Sequence, residues 1–178
     1  MPAKQFRLKK YLLWFCVLLL IGFITYYFYP IEKIPPGTVI DKIVVYKSRH
    51  QLLAYSENKL VVTYKVSIGK VPIGKKEYEG DKKTPEGLYT IYAKNPLSGY
   101  HKNLGVSYPN DTDRANAKLL GKPTGGDIKI HGLKNGQGHI GKFSRWKDWT
   151  NGCIALTDEE LDELYDHTPI GTPIEILK

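Results

Sequence analysis

Sulfur is scarce in this chain of 178 residues: one Met and two Cys. Cys16 lies inside an apolar run and Cys153 in a polar, glycine-containing context, so the two are not expected to pair and a disulfide framework is excluded. Acid is missing from the first thirty residues, which hold Lys4, Arg7, Lys9 and Lys10. Internal repeats and low-complexity tracts are missing too. So are Cys-x-x-Cys and His-x-x-x-His spacings, which leaves a zinc set of His131, His139, Cys153 and His167 without support from spacing. No basic stripe interleaved with aromatics is present, which argues against nucleic acid as a partner.

What is present divides the chain unevenly. Residues 1–10 form a basic tail, and 11–29 are apolar without a charge. Tyr11–Phe28 alone gives eighteen uncharged residues dominated by Leu, Ile, Val and Phe, which suffice to span a bilayer. Tyr26, Tyr27, Phe28 and Tyr29 then cluster as an interfacial belt. The basic end places the N-terminus in the cytoplasm and the remainder outside the cell membrane. Small residues spaced for signal cleavage do not follow the run, so the reading is a retained single-pass anchor rather than a removed leader. Residues 30–40, with Pro35-Pro36, read as a short stiff tether. The net charge of +8 falls to +4 once the basic tail is set aside. A mildly basic domain suits an anionic partner, or simply solubility.

Residues 41–178 are rich in strand signals. Lys42–Tyr46 and Gln51–Tyr55 flank a turn at Lys47–His50. Lys59–Ile68 alternates, which puts Leu60, Val62, Tyr64, Val66 and Ile68 on one face. Leu88–Tyr92 and Thr172–Leu177 are further strands. The stretch 95–126, with scattered Gly, Pro and Asn, reads as long and irregular, a wall or lid for a cleft. Thr157-Asp158-Glu159-Glu160 is a capping box that starts a short helix, ended by Pro169 and Gly171. The fold class is mostly β, a sandwich or open barrel with one or two short helices.

Chemistry concentrates between Asp127 and Leu156. Ile128 and Ile130 alternate with Lys129 and His131, so His131 leaves the end of a strand at Gly132. A Gly- and Lys-rich interval returns the chain to Thr150-Asn151-Gly152-Cys153. Cys beside His is the minimum for a thiol nucleophile with a general base. Gly152 allows close backbone approach, and the amides of Gly152 and Cys153 are oxyanion-hole candidates. Thr150 and Asn151 shape the turn. The bland alternatives are a buried hydrophobic Cys, a solvent-facing His and ordinary turn residues. Lys142, Arg145 and Lys147 lie in the interval, either to meet substrate carboxylates or as a solvated loop face. Trp146 and Trp149 anchor the interval to the core or wall a ligand site.

These residues resemble the L,D-transpeptidases with a YkuD-type domain. That family carries His-Gly followed by Ser/Thr-His-Gly-Cys, matched here by His131-Gly132 and Thr150-Asn151-Gly152-Cys153-Ile154. It also carries an upstream Gly-Asp-x-x-Thr-Pro-x-Gly, matched by Gly80 to Gly87. Asn151 stands where many members have a second His, Ala155 where many have Arg, and the interval is longer than usual. The resemblance implies a β-sandwich and a membrane-anchored enzyme of cell-wall biogenesis that acts on peptidoglycan stem peptides, without cofactor or metal. It implies Cys153 as nucleophile and His131 as base, with the Gly132 carbonyl fixing the imidazole and Asp81 near the rim of the donor site. The same machinery passing its acyl group to water would make an L,D-carboxypeptidase or amidase. A non-catalytic cell-wall-binding module is the alternative outside enzymes.

Overall fold

The structure is a computed structural model and describes residues 2–178, with side chains from residue 7 onward. Met1 and the Lys4 side chain, part of the expected basic tail, lie outside the described residues. The chain divides into two units, residues 1–30 and 31–178.

The first unit is one helix, α1 (Pro2–Phe28). Its stretch Arg7–Phe28, 22 residues with a mean hydropathy of 2.1 in an 18-residue window, is long and apolar enough to cross a membrane, a property that signal sequences share.

The second unit is mostly β. Its strands are β1 (Lys42–Tyr46), β2 (Gln51–Ser56), β3 (Lys59–Lys65), β4 (Gly87–Ser98), β5 (His101–Val106), β6 (Lys129–His131), β7 (Ile154–Ala155) and β8 (Pro173–Leu177). They form one curled sheet in the order β3-β2-β1-β8-β4-β5-β6-β7. β4 makes the curl. Its first residues pair with β8, and from Ile91 onward it pairs with β5, with register shifts at Ile91/Ala93 and Asn95/Ser98. A strand shared in this way bends where its ladder is interrupted. The core lies inside the curl, built on Ile43, Val45, Leu52, Ile68, Ile91, Leu104, Ile130, Ile154 and Leu161, each at most 1% exposed.

Two helices complete the unit. α3 (Asp158–His167) begins as its sequence predicts: Thr157 Oγ1 accepts from Glu160 N, and Glu160 Oε2 accepts from Thr157 N at 3.3 Å. Leu161 and Leu164 turn its apolar side to the core. α2 (Asp111–Leu119) has a capping box of its own, Asn110 with Asp113.

Three expectations change. Residues 95–126 are largely regular: the outer half of β4, all of β5, and α2. The expected face of β3 holds for Val62 and Tyr64 and continues beyond the strand to Val66 and Ile68, but Leu60 is 52% exposed. The register shift between Ala54 and Tyr55 skips Val61, and this bulge turns Leu60 outward. The segment expected to be a tether packs onto the domain from Ile31 onward. Ile34 is 3% exposed in the core, and Glu163 on α3 accepts from Ile34 N at 3.2 Å and from Lys33 Nζ at 2.8 Å.

Candidate active site

Three short elements build the site: β6, the turn at Thr150–Cys153 and the upstream motif at Gly80–Gly87. β6 carries His131 and lies between β5 and β7. Its parallel register with β7 is Ile130 to Ile154 and His131 to Ala155. Ile130 and Ile154 are wholly buried, which fixes that register by burying one face. Extended back by one residue, the register sets Cys153 opposite Lys129. Lys129, His131, Cys153 and Ala155 then share the face opposite the isoleucines.

The turn before Cys153 is tied by Thr150. Its hydroxyl donates to Cys153 O at 2.7 Å and accepts from Gly152 N at 3.1 Å. Thr150 is also bridged to the strand end at Ile68–Lys70, with Thr150 N donating to Ile68 O and Lys70 N to Thr150 O. Gly152 has φ +129°, and a Cβ there would stand 2.7 Å from Lys83 O. The upstream motif therefore packs directly beneath the turn. Thr84, wholly buried, accepts from Gly69 N at 2.9 Å. Asp81 gathers the loop around itself: it accepts from Lys76 Nζ at 2.8 Å and from the amides of Glu77, Tyr78 and Lys83.

His131 is 6% exposed. Its Nδ1 lies 2.7 Å from Gly132 O. A carbonyl only accepts, so Nδ1 carries the proton and Nε2 of the neutral ring keeps its lone pair. Tyr100 and Trp149 enclose the imidazole, with ring centroids 4.9 and 5.6 Å away, and stack on each other at 6.2 Å. Burial holds His131 below its ordinary value; the Gly132 carbonyl opposes this, and the Lys129 charge adds to it. Burial pushes the Cys153 thiol up. Both shifts favour a neutral thiol beside a neutral imidazole over a preformed ion pair.

His131 and Cys153 line one cleft of about 470 Å³, together with Thr150, Asn151, Trp149 and Lys129. The thiol's hydrogen bond goes to Asp127 O at 3.6 Å rather than to His131, so the expected thiol–imidazole bond is not the resting arrangement. Resting catalytic contacts are often long and tighten when substrate binds. Gly152 N–H is engaged by Thr150, which leaves the Cys153 amide as the better placed of the two oxyanion candidates.

Other expected site residues stand elsewhere. Arg145 is not turned to the cleft: its guanidinium pairs with Glu160 of α3, and the two side chains are 10% and 5% exposed. Lys142 is buried in the 3-10 segment Gly138–Trp146 and does not line the cleft. Asp81 is committed to its own loop, with a side chain 2% exposed. Trp149 lines the cleft, whereas Trp146 is 62% exposed against Phe143. The residues weighed as a zinc set are scattered: His167 bonds Thr38 O at 2.7 Å, and His139 is exposed. Among the described residues no three His, Cys, Asp or Glu side chains converge.

The sequence reading missed Tyr100, Asn103, Lys70 and Lys129 as cleft residues. Tyr100 and Asn103 arrive on the β4–β5 hairpin, inside the stretch read as irregular. Lys129 sits two residues before His131, and strand alternation alone puts it on the same face.

Comparison with known proteins places the domain in a family. YqjB of Bacillus subtilis (strain 168), provisionally named an L,D-transpeptidase, is 28% identical over 139 residues, covering 75% of this chain and 69% of YqjB. YafK of Escherichia coli (strain K12), provisionally named in the same way, is 28% identical over 130 residues, covering 69% of this chain and 45% of YafK. Among solved structures, the helical cell shape determining protein Pgp2 of Campylobacter jejuni matches with a TM-score of 0.58 at 27% identity, over 79% of this chain and 48% of Pgp2. The chain thus spans about half the length of YafK and of Pgp2. The YkuD profile, described as an L,D-transpeptidase catalytic domain, matches residues 40–176, and the chain belongs to that family.

Proposed function

We propose that the chain is an L,D-transpeptidase of cell-wall biogenesis, with Cys153 as nucleophile and His131 as general base. The observation that carries this reading is the shared cleft, in which a Cys and a tautomer-fixed His lie on one face of adjacent parallel strands.

The donor is a peptidoglycan stem tetrapeptide. Nε2 of His131 takes the thiol proton as Sγ bonds to the carbonyl carbon of the third, diamino residue. The oxyanion that forms meets the Cys153 amide. The C–N bond to the terminal D-alanine breaks, and His131 returns its proton to the departing amine. A thioester remains on Cys153. An amine from a second stem peptide then attacks, His131 takes its proton, the C–S bond breaks and the thiol is restored. The starting pair is neutral, so proton transfer accompanies attack and no ion pair has to be stored beforehand.

α1 anchors the domain to the membrane, with the cleft on the extracytoplasmic side where peptidoglycan lies. N-terminal sequencing of membrane-extracted protein should find residues before Pro30; a mature chain starting near Pro30 would refute the anchor.

Mass spectrometry of purified muropeptides incubated with the protein tests the reaction. A cross-link between two third residues, with release of D-alanine, is the expected product. Tripeptide without cross-link means that water is the acceptor. Unchanged muropeptides, with bound wall material retained after Cys153 is alkylated, would identify a binding module instead.

A further inference from the structure

Lys129 has no part in the scheme above, yet strand geometry sets it beside the nucleophile. It lies opposite Cys153 by extension of the β6–β7 register and on the same strand face as His131. Its side chain is 31% exposed and lines the cleft. The Nζ is held 2.7 Å from Asp127 Oδ1, while the backbone carbonyl of that same Asp127 accepts the Cys153 thiol. Asp127 has φ +62°, a left-handed conformation that turns the chain immediately before β6. One residue thus offers its carbonyl to the thiol and its carboxylate to the lysine.

Resting on the reading of Cys153 as nucleophile, we propose that Lys129 is a positioning residue for the reacting pair: its ammonium supplies the positive field for the thiolate, and Asp127 tempers that field.

The other charges near the thiol do not replace it. Lys76 acts from the loop beneath but is paired with Asp81 at 2.8 Å, both side chains nearly buried. Lys70 is an exposed residue at the rim, its Nζ 3.4 Å from Asn151 Oδ1. His131 is held neutral by burial. The Asp127 carboxylate is 75% exposed, so water screens it more than it screens the lysine. Burial chiefly raises the thiol; the Lys129 amide opposes this, the Asp127 charge adds to it, and the Lys129 ammonium opposes it by less than Asp127 adds, so the carboxylate largely offsets the ammonium at rest. The same ammonium disfavours a charged His131, so it serves both partners: it eases thiol ionisation and keeps the base ready to accept a proton.

The test needs no peptide. The full chain carrying Cys16→Ser keeps one thiol, and its alkylation by iodoacetamide is followed against pH in detergent by intact mass. In Lys129→Met the alkylation midpoint should rise by roughly half to one pH unit, and in Lys129→Arg it should return close to its starting value. Asp127→Asn should move the midpoint down; Asn tolerates a positive φ, so this variant keeps the turn and reads the same field if Lys129→Met fails to fold. The acid limb of alkylation or turnover should move up in Lys129→Met as His131 gains a proton more easily. A midpoint unmoved in Lys129→Met, with only donor KM raised, would overturn the proposal and make Lys129 a substrate contact. A midpoint unmoved or raised in Asp127→Asn would overturn it equally. Alkylation reports the thiol whether or not a stem peptide is turned over, so this inference and the proposed reaction fail separately.

Discussion

Asp158, the first residue of α3, accepts the backbone N–H of Leu133 at 2.7 Å, two residues after the candidate base. The same carboxylate crowds two glycines. A Cβ on Gly132 would stand 2.6 Å from its Oδ1, and one on Gly138 would stand 2.5 Å from its Oδ2. The helix that the Thr157–Glu160 capping box starts is therefore also the post around which the loop after His131 is wound. His101 closes the arrangement, with Nε2 2.8 Å from Asp162 Oδ1 one turn further along α3.

This packing makes Gly132→Ala a sensitive test. The added methyl meets Asp158 Oδ1 on one side and His101 Cβ, at 2.9 Å, on the other. Neither is the loose end of a long side chain, so the loop must shift. A destabilisation of about 1–3 kcal/mol is expected, as for overpacking elsewhere. Because the Gly132 carbonyl holds His131 Nδ1, turnover should fall further than the lost stability explains. Urea unfolding midpoints, together with turnover of the folded fraction, check this; a variant of unchanged stability and rate would contradict the packing.

Arg145→Met separates a structural role from a substrate role. The Arg145–Glu160 pair is buried and sits within the α3 capping box. Removing one partner of a buried pair typically costs about 3–5 kcal/mol, because the other charge stays behind. The expected result is a large drop in the unfolding midpoint with KM for the donor little changed in protein that remains folded. A raised KM at unchanged stability would restore Arg145 to the substrate site.

The pairs just described show where the sequence was legible. His131, Gly132, Gly152 and Cys153 stand in two short motifs, and strand alternation was enough to place His131 at a strand end. The α3 cap was legible because Thr-x-x-Glu is a local device that needs no tertiary contact to form. The α2 cap was not, since Asn110 with Asp113 uses a shorter acid at the third position and precedes a helix of only nine residues. The outer half of β4 was hidden by Asn95-Pro96, which suit an edge or an irregular strand and show no alternation. Tyr100 and Asn103 went unseen with it. Arg145 and Lys142 were misjudged because sequence gives a charge but not its partner. Glu160 lies 15 residues from Arg145, and only the packing of α3 against the interval brings the two together.

The pH dependence follows from His131. Burial, chiefly, holds its folded value below the ordinary value of about 6.5. The base must be neutral, so activity should persist through that ordinary value and fall only at lower pH. Stability carries the same sign. Below about 6.5 the unfolded chain takes up a proton that folded His131 refuses, so acidification draws the equilibrium toward unfolding until the folded imidazole titrates too. His131→Asn removes this contribution. Between pH 7.5 and 5.5 its unfolding midpoint should fall less than that of the wild type; an equal or steeper fall would mean that His131 is not held neutral.

The most direct prediction concerns Cys153 itself. Cys153→Ala should abolish acyl transfer, because removing a nucleophile removes the covalent route, whereas losing one oxyanion donor costs only about 3–4 kcal/mol of barrier. The thiol is half-buried at the cleft wall, and its hydrogen bond to Asp127 O is long, 3.6 Å, so stability should change by at most about 1 kcal/mol. His131→Ala should be nearly as severe for acylation, since the neutral thiol would then have no base. His139→Ala should be mild, because that exposed side chain lies apart from the cleft residues. Intact mass after incubation with a tetrapeptide donor or a carbapenem reads all three: a thioester on the wild type and on His139→Ala, none on Cys153→Ala, and little on His131→Ala. An acyl adduct on the Cys153→Ala protein would falsify the choice of nucleophile. Loss of acylation in His139→Ala equal to that in His131→Ala, at unchanged stability, would reopen the metal reading.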